Sequence, residues 1–297
     1  MKRLHPSRQG ILLVVMAMAC FAVLDTTAKY ISTLVPLAVA MWSRYAFQAI
    51  FTGAVLLPQR GRGLFRTRHP WLQVLRGALL AGSSSVAFIS LRTLPVGEFT
   101  ALLMLTPMLI TVVSEASMGE KVSALRWLLL TGGFIGALIV IRPGSHGFEW
   151  AMLLPLALVV MSAAFQLLTS HLAQDDDPGT MHFYTGLVAM LLVSVTLPFA
   201  WETPATPSLW ALLLMLGVFS TLGHYLLILG YGRASPSTLT PFLYFQIGFA
   251  ALAGWIAFSH VPDRWSVLGI GLIAVCGMTS SWLPAPPRTV PPTEPEH

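Results

Sequence analysis

Charge is scarce in this chain. Its 297 residues include 17 Lys and Arg and 12 Asp and Glu, 10% charged in all, where soluble domains carry about 25%. That scarcity, with 55% hydrophobic residues and a mean hydropathy of +0.74, excludes an ordinary water-soluble fold, which would carry large exposed apolar patches. Cysteine is nearly absent too. Only Cys20 and Cys276 occur, both inside apolar runs, which excludes a disulfide framework and a cysteine zinc site and leaves them as packing residues. The alternation of a transmembrane barrel is missing. No G-x-x-x-x-G-K-[ST] phosphate loop occurs, so the chain does not itself drive ATP-powered pumping, and no histidines fall at H-x-x-x-H or H-E-x-x-H. No cofactor, metal or nucleic acid is expected.

What is present is a series of long apolar runs. A lipid-exposed backbone must satisfy its own hydrogen bonds, which leaves bundled helices. With roughly 20 apolar residues per span, the sequence predicts an all-α polytopic membrane protein of ten helices, at 10–33, 36–57, 71–92, 96–117, 125–141, 150–172, 180–200, 208–230, 236–259 and 265–283. Turn formers mark the breaks, among them Pro36, Pro58 with Gly61, Pro178 with Gly179, and Pro236. Lys2, Arg3, Arg8, Arg60, Arg62, Arg66, Arg68, Lys121, Arg126, Arg233 and Arg288 then share one side, against Lys29, Arg92, Arg142 and Arg264 on the other. The positive-inside rule puts both termini in the cytoplasm. The Ala17-x-Ala19 pattern is not read as a cleavage site, because the apolar run continues to Leu24.

A shift of 140 residues lays one half of the chain on the other. Gly77 falls on Gly217, Ser84 on His224, Thr106 on Gln246, and Gly119-Glu120 on Ser259-His260. Five spans per half is an odd number, so the second copy lies upside down relative to the first. The sequence thus divides into repeats at 1–145 and 146–283, followed by a Pro-rich tail at 284–297 read as disordered and cytoplasmic. An inverted repeat supplies two equivalent conformations around one midplane site, the basis of alternating access.

The stretches Leu75-Arg76-Gly77, Leu91-Arg92-Thr93-Leu94-Pro95, Pro107, Gly119-Glu120-Lys121, Arg126-Trp127 and Ile141-Arg142-Pro143-Gly144 resemble the EamA-like branch of the drug/metabolite transporter superfamily. The resemblance covers almost the whole chain. It implies a ten-helix, two-repeat carrier in the bacterial inner membrane with a cavity between the repeats. Similar proteins carry S-adenosylmethionine, riboflavin, amino acids or opine-type metallophores, so the resemblance implies transport of a small metabolite without naming the cargo.

Charges within spans are costly, at about 2.5 to 3.5 kcal/mol each on insertion scales, so an intramembrane ion faces protein, water or a partner. Asp25 and Lys29 share one face of the first span. Asp25 and Arg44 each lie eight residues from an outer helix end, about 12 Å deep at 1.5 Å per residue. Asp25 can pair with Arg44 or Lys29, as a structural tie or as a proton site beside two cations that receive a substrate carboxylate or phosphate. Arg76, four residues into the third span, is read as snorkelling to the headgroups. The mirrored pairs Ser84 with His224 and Thr106 with Gln246 should converge on the cavity. Trp42, Phe88, Gln166, His182, Tyr184, Tyr225, Tyr231 and Tyr244 are further candidates for its wall, since small-molecule pockets combine apolar walls with a few orienting polar groups.

The reading is a secondary carrier, not an enzyme, for an amino-acid-like, nucleoside-like or metallophore-like metabolite, with export favoured over uptake and protons as a possible coupling ion. One alternative is an uptake carrier for a vitamin or an S-adenosylmethionine-like compound. Another is a membrane transferase using Asp175-Asp176-Asp177 to hold Mg²⁺ and a diphosphate, though no second acidic cluster accompanies that triplet. The triplet is otherwise a solvated cap on the linker between the repeats.

Overall fold

The computed structural model describes residues 6–93, 103, 105–118, 122–141, 153–259 and 263–283. Among them no strand occurs, and the helices are α1 (Pro6–Ile31), α2 (Leu37–Arg60), α3 (Pro70–Thr93), α4 (Leu105–Met118), α5 (Ala124–Ile141) and α6 (Leu153–Leu172), followed by α7 (Pro178–Ser194), α8 (Leu197–Ala200), α9 (Pro207–Tyr231), α10 (Pro236–Leu243), α11 (Phe245–Phe258) and α12 (Arg264–Trp282). A 3-10 turn covers Gly61–Phe65. The tail from residue 284, the Gly119-Glu120 motif and Ile141-Arg142-Pro143-Gly144 beyond Ile141 lie outside the described residues.

Helix starts follow from local chemistry. Pro70, Pro178, Pro207 and Pro236 each open a helix, where a missing N–H costs nothing. Asp177 caps α7 by accepting from the Thr180 N–H at 3.0 Å, and Thr206 caps α9 by accepting from Leu209. Gly61 ends α2 at φ 54, ψ −135, a backbone conformation closed to residues with a Cβ.

Two of the expected spans are interrupted. The stretch read as one helix at 180–200 stops at Ser194 and resumes as the short α8, and the span at 236–259 breaks at Tyr244 between α10 and α11.

The bundle holds polar side chains among its apolar core and turns many large apolar ones outward. Arg44, Gln48, Gln73 and Arg76 are buried, whereas Ile50, Leu128, Val195, Phe199 and Ile256 are exposed. Among the described residues five helical stretches are long and apolar enough to cross a membrane: Pro6–Ile31, Pro70–Leu91, Leu154–Leu172, Pro207–Tyr231 and Pro236–Phe258. Together with the surface of large aliphatic side chains, they describe a multi-pass membrane protein.

Helix contacts recur in matched sets. α1 packs on α9 as α6 packs on α3, and α2 packs on α9 as α7 packs on α3. α1 meets α10 and α11 as α6 meets α4, and the contacts of α2 with α7, of α5 with α12 and of α4 with α10 are their own counterparts. α5 and α12 approach closely: a Cβ on Gly136 would lie 2.8 Å from the Gly269 carbonyl oxygen and 3.0 Å from Ile273. Cys276 is buried and free in this contact, facing Gly132, and Cys20 is likewise buried and free.

Candidate functional site

A cavity of about 170 Å³ lies where α1, α2, α3, α4, α6, α9 and the α10–α11 break come together. α1 turns Met18, Phe21 and Asp25 toward it at helical spacing, and α3 does the same with Leu80, Ser84 and Ala87. Apolar side chains form most of the wall. The polar groups on it are few and arranged.

Arg44 provides the cation. Its Nε donates to Ser220 Oγ at 2.5 Å and its Nη1 to Ser84 Oγ at 3.1 Å, while the guanidinium carbon sits 5.1 Å from the Tyr45 ring centre. Tyr45 is itself fixed, its hydroxyl donating to the Leu80 carbonyl at 3.1 Å. Two serines on different helices thus aim the guanidinium, leaving its Nη2 without an acceptor among the described residues. Asp25 provides the anion, and its Oδ2 accepts from Gln246 Nε2 at 2.7 Å.

His224 Nδ1 lies 2.8 Å from the Ser220 carbonyl. A carbonyl only accepts, so Nδ1 carries the hydrogen, and in the neutral tautomer that this bond selects Nε2 is the acceptor. The ring is wedged edge-on between Phe21 and Phe165 at 4.8 and 5.8 Å. Gln166 accepts from the Tyr231 hydroxyl at 2.9 Å, and Thr106 Oγ1 is buried with no partner among the described residues. The cavity therefore offers a guanidinium, a carboxylate, an imidazole acceptor and a hydroxyl in a largely apolar chamber.

Of the residues singled out in the sequence, the structure brings Asp25, Arg44, Ser84, Thr106, Gln166, His224 and Gln246 to this one cavity. The other candidates lie elsewhere. Lys29 does not pair with Asp25, because its Nζ reaches across to the Leu91 carbonyl at 2.9 Å. No ion pair joins Asp25 to Arg44 among the described residues either, since each is held by its own uncharged partners. Trp42 donates to Ser194 at 3.0 Å and meets Trp201 edge-on, between α2 and α7. Phe88 is buried in the apolar core of α1, α2, α3, α7 and α9. Tyr184 donates to the Phe65 carbonyl at 3.0 Å, pinning the α2–α3 linker, and Tyr244 packs against Leu130, Ile247 and Ile273. His182 and Tyr225 meet edge-on at 5.5 Å in a separate layer.

That layer overturns the expectation for Arg76, which does not reach the headgroups. Its side chain is among the largest fully buried in the protein, because α6 and α7 pack over it. Nε donates to Thr169 Oγ1 at 2.8 Å, Nη1 donates to the Met181 carbonyl at 2.9 Å and to Thr185 Oγ1, and the Phe165 ring lies 4.9 Å from the guanidinium carbon.

The Asp175-Asp176-Asp177 triplet is a solvated cap only at its ends, where Asp175 is exposed and the half-buried Asp177 caps α7, and its middle residue departs from that reading. Asp176 is buried and accepts from Thr67 Oγ1 at 2.5 Å, the Arg68 N–H at 3.0 Å and Gln73 Nε2 at 2.8 Å. Burial alone would raise its pKa, but these three donors and the nearby His69 outweigh it and hold the carboxyl below its ordinary value. Arg60 pairs with Asp177, and His69 lies 3.7 Å from Asp175. The triplet thus clasps the α6–α7 linker to the α2–α3 linker. Among the described residues no group of three His, Cys, Asp or Glu is placed to hold a metal.

Several of these groups had no prominence in the sequence. Ser220 was signalled only by standing one turn before His224 on α9, and Gln48, Gln73 and Phe165 carried no spacing signal at all.

A largely apolar chamber with a few arranged polar groups, walled by eight helices inside a bundle with a lipid-facing exterior, defines a multi-pass membrane protein that accommodates a small molecule. Comparison with known proteins specifies the class. The chain belongs to the EamA-like transporter family, whose model matches it twice, over residues 8–142 and 149–279. It is 30% identical to a riboflavin transporter of Rhizobium johnstonii, over 91% of this chain and 90% of that one. It is also 30% identical to the pseudopaline exporter CntI of Pseudomonas aeruginosa, over 90% and 94%, and 25% identical to an S-adenosylmethionine uptake transporter of Rickettsia bellii, over 84% and 85%. A solved crystal structure shares the fold with a TM-score of 0.78 at 19% identity, covering 92% of this chain and 97% of that one. The protein is a small-molecule transporter of the drug/metabolite superfamily, not an enzyme.

Proposed function

We propose that this chain is a secondary carrier of a small organic metabolite, with ten spans arranged as two inverted five-span repeats at 1–145 and 146–283. It sits in the inner membrane with both termini cytoplasmic, and the repeats rock around the cavity that holds Asp25 and Arg44. The observation that carries this reading is the meeting of mirrored residues. Ser84 and His224, and Thr106 and Gln246, stand 140 positions apart in the sequence yet line one chamber. The twofold match of the family model and the paired helix contacts support the same division. Two packings related by exchange of the halves differ little in energy, and each opens the chamber to one side.

Asp25 serves as the proton or cation site, and Arg44 receives the anionic or carbonyl oxygens of the cargo. Candidate cargoes are those of the relatives: riboflavin, pseudopaline and S-adenosylmethionine. Direction follows the coupled gradient, with export the favoured mode. The test is counterflow in proteoliposomes preloaded with each of the three, with and without an imposed proton gradient. Accumulation of labelled cargo that Arg44→Gln abolishes is expected. Absence of counterflow across this panel, together with cysteine labelling that finds residues 6 and 283 on opposite faces, would overturn the reading.

A further inference from the structure

Arg76 is a buried cation that the central cavity does not use. Three of its donor hydrogens are taken, by Thr169, Met181 and Thr185, but Nη2 is buried with no acceptor among the described residues. No carboxylate lies within ion-pairing distance of it among the described residues. Two further buried polar atoms in the neighbourhood are orphaned as well. Among the described residues, His182, which follows Met181 in the chain, has Nε2 without a partner, and Gln48, whose amide nitrogen donates to the His182 carbonyl at 3.0 Å, has Oε1 without one. Buried polar groups are ordinarily satisfied, and a tie between helices is made more cheaply by apolar packing than by an uncompensated charge. Three unpartnered polar atoms contributed by α2, α3 and α7 are the signature of a site awaiting a ligand.

The position of this layer says which ligand. Arg76 and Ser84 stand eight residues apart on α3, about 12 Å along the axis at 1.5 Å per residue. Between the layer and the cavity stands Phe165, which touches both: its ring lies 4.9 Å from the Arg76 guanidinium and also forms part of the cavity wall. On the far side, one turn before Arg76, Gln73 holds Asp176 and so belongs to the clasp between the two linkers. Arg44, Phe165, Arg76 and the Asp176 clasp thus follow one another toward that end of the bundle.

We propose that Arg76 is a second anion-receiving station on the transport path. It takes over the carboxylate or phosphate group of the cargo from Arg44 when the Asp176 clasp opens and Phe165 moves aside. The cargo class is thereby narrowed to metabolites bearing an anionic oxygen group. The guanidinium supplies two hydrogens on Nη2 to that group, Gln48 Oε1 accepts from a neighbouring donor, and His182 Nε2 completes the ring of contacts. The station is walled by protein on α3, α6 and α7, so the anion arrives as cargo and not as a lipid headgroup. This inference rests on the carrier reading, but its test does not use cargo.

The test measures the local potential by chemistry. In full-length protein with Cys20→Ala and Cys276→Ala, reconstituted in liposomes, Thr169→Cys introduces a thiol beside the guanidinium. An anionic sulfonatoethyl and a cationic trimethylammonioethyl methanethiosulfonate are compared, relative to their rates on free cysteine. The anionic reagent should be favoured by about tenfold or more, the low end of enrichment in a cleft lined by one sign of charge, and Arg76→Gln should remove the bias. Inorganic phosphate should slow the anionic reagent, and the same slowing in anionic and in zwitterionic liposomes excludes competition from headgroups. Thr185→Cys serves as a second reporter should the first variant fail to fold. No bias, or no modification of either thiol, would overturn the station, because a site that cargo visits must open to water. Counterflow of the panel by the wild-type protein, alongside an absent bias, would leave the carrier standing and remove Arg76 from its path.

Discussion

Gln246 on α11 donates to Asp25 on α1 across 2.7 Å, joining two residues 221 positions apart. The amide uses one carboxylate oxygen and leaves the other for the cavity. A carboxylate held by a neutral amide keeps its charge available to protons or to cargo, which a salt bridge would not allow. Asp25→Asn should therefore abolish the response of counterflow to an imposed proton gradient while the protein still inserts and folds. A response equal to that of the wild type would remove Asp25 from coupling.

Arg44 is aimed by two serines, and each bond from a charged donor contributes about 1.5 to 3 kcal/mol. Ser220→Ala and Ser84→Ala are each expected to weaken apparent affinity by about tenfold or more, with maximal rate less affected. Tyr45→Phe, which removes the bond to Leu80 but not the ring, should have the smaller effect. Concentration dependence of counterflow separates the three.

The clasp gives a pH prediction with a definite sign. The Asp176 carboxyl titrates below its ordinary value in the folded protein, so its contribution is complete above the ordinary carboxylate range and is lost as pH falls through the folded value. Asp176→Asn should lower thermal stability at pH 7 and stop doing so at acid pH, where the wild-type carboxyl is protonated as well. Thermal unfolding of both proteins across pH gives the answer, and a deficit that persists unchanged into acid contradicts the assignment. At neutral pH the same variant should also raise the exposure of Gln73→Cys to thiol reagents, as the two linkers part.

Close approach of α5 to α12 leaves no room at Gly136, where an added Cβ would stand 2.8 Å from a backbone oxygen. Gly136→Val should destabilise by about 1 to 3 kcal/mol, the range for overpacking. Gly271→Val, at a position where an added Cβ meets nothing within 4 Å, should be tolerated. Melting temperatures of the purified variants test the contrast.

Much of the architecture was legible because lipid imposes strong rules. Scarce charge and long apolar runs gave helices and a membrane, and the shift of 140 picked out Ser84, Thr106, His224 and Gln246. What stayed hidden was rotation about each helix axis. In a soluble helix the apolar stripe marks the inward face, but lipid is as apolar as a protein core, so Trp42, Phe88, Tyr184 and Tyr244 were indistinguishable from cavity residues until the packing was known. Arg76 misled for a related reason. Its place near the start of α3 is visible in the sequence, but whether that face met headgroups or α6 and α7 depended on tertiary packing. Asp176 looked solvated because no local spacing announces Thr67, Arg68 and Gln73, more than one hundred residues upstream.

The break at Tyr244 has a mechanical corollary. Leu243 ends α10 and Gln246 is the second residue of α11, and both border the chamber, so an occupant touching the two is gripped across a joint. Its arrival splints a hinge, and its departure frees the two segments to swivel, which ties the moment of release to the moment the pocket changes shape.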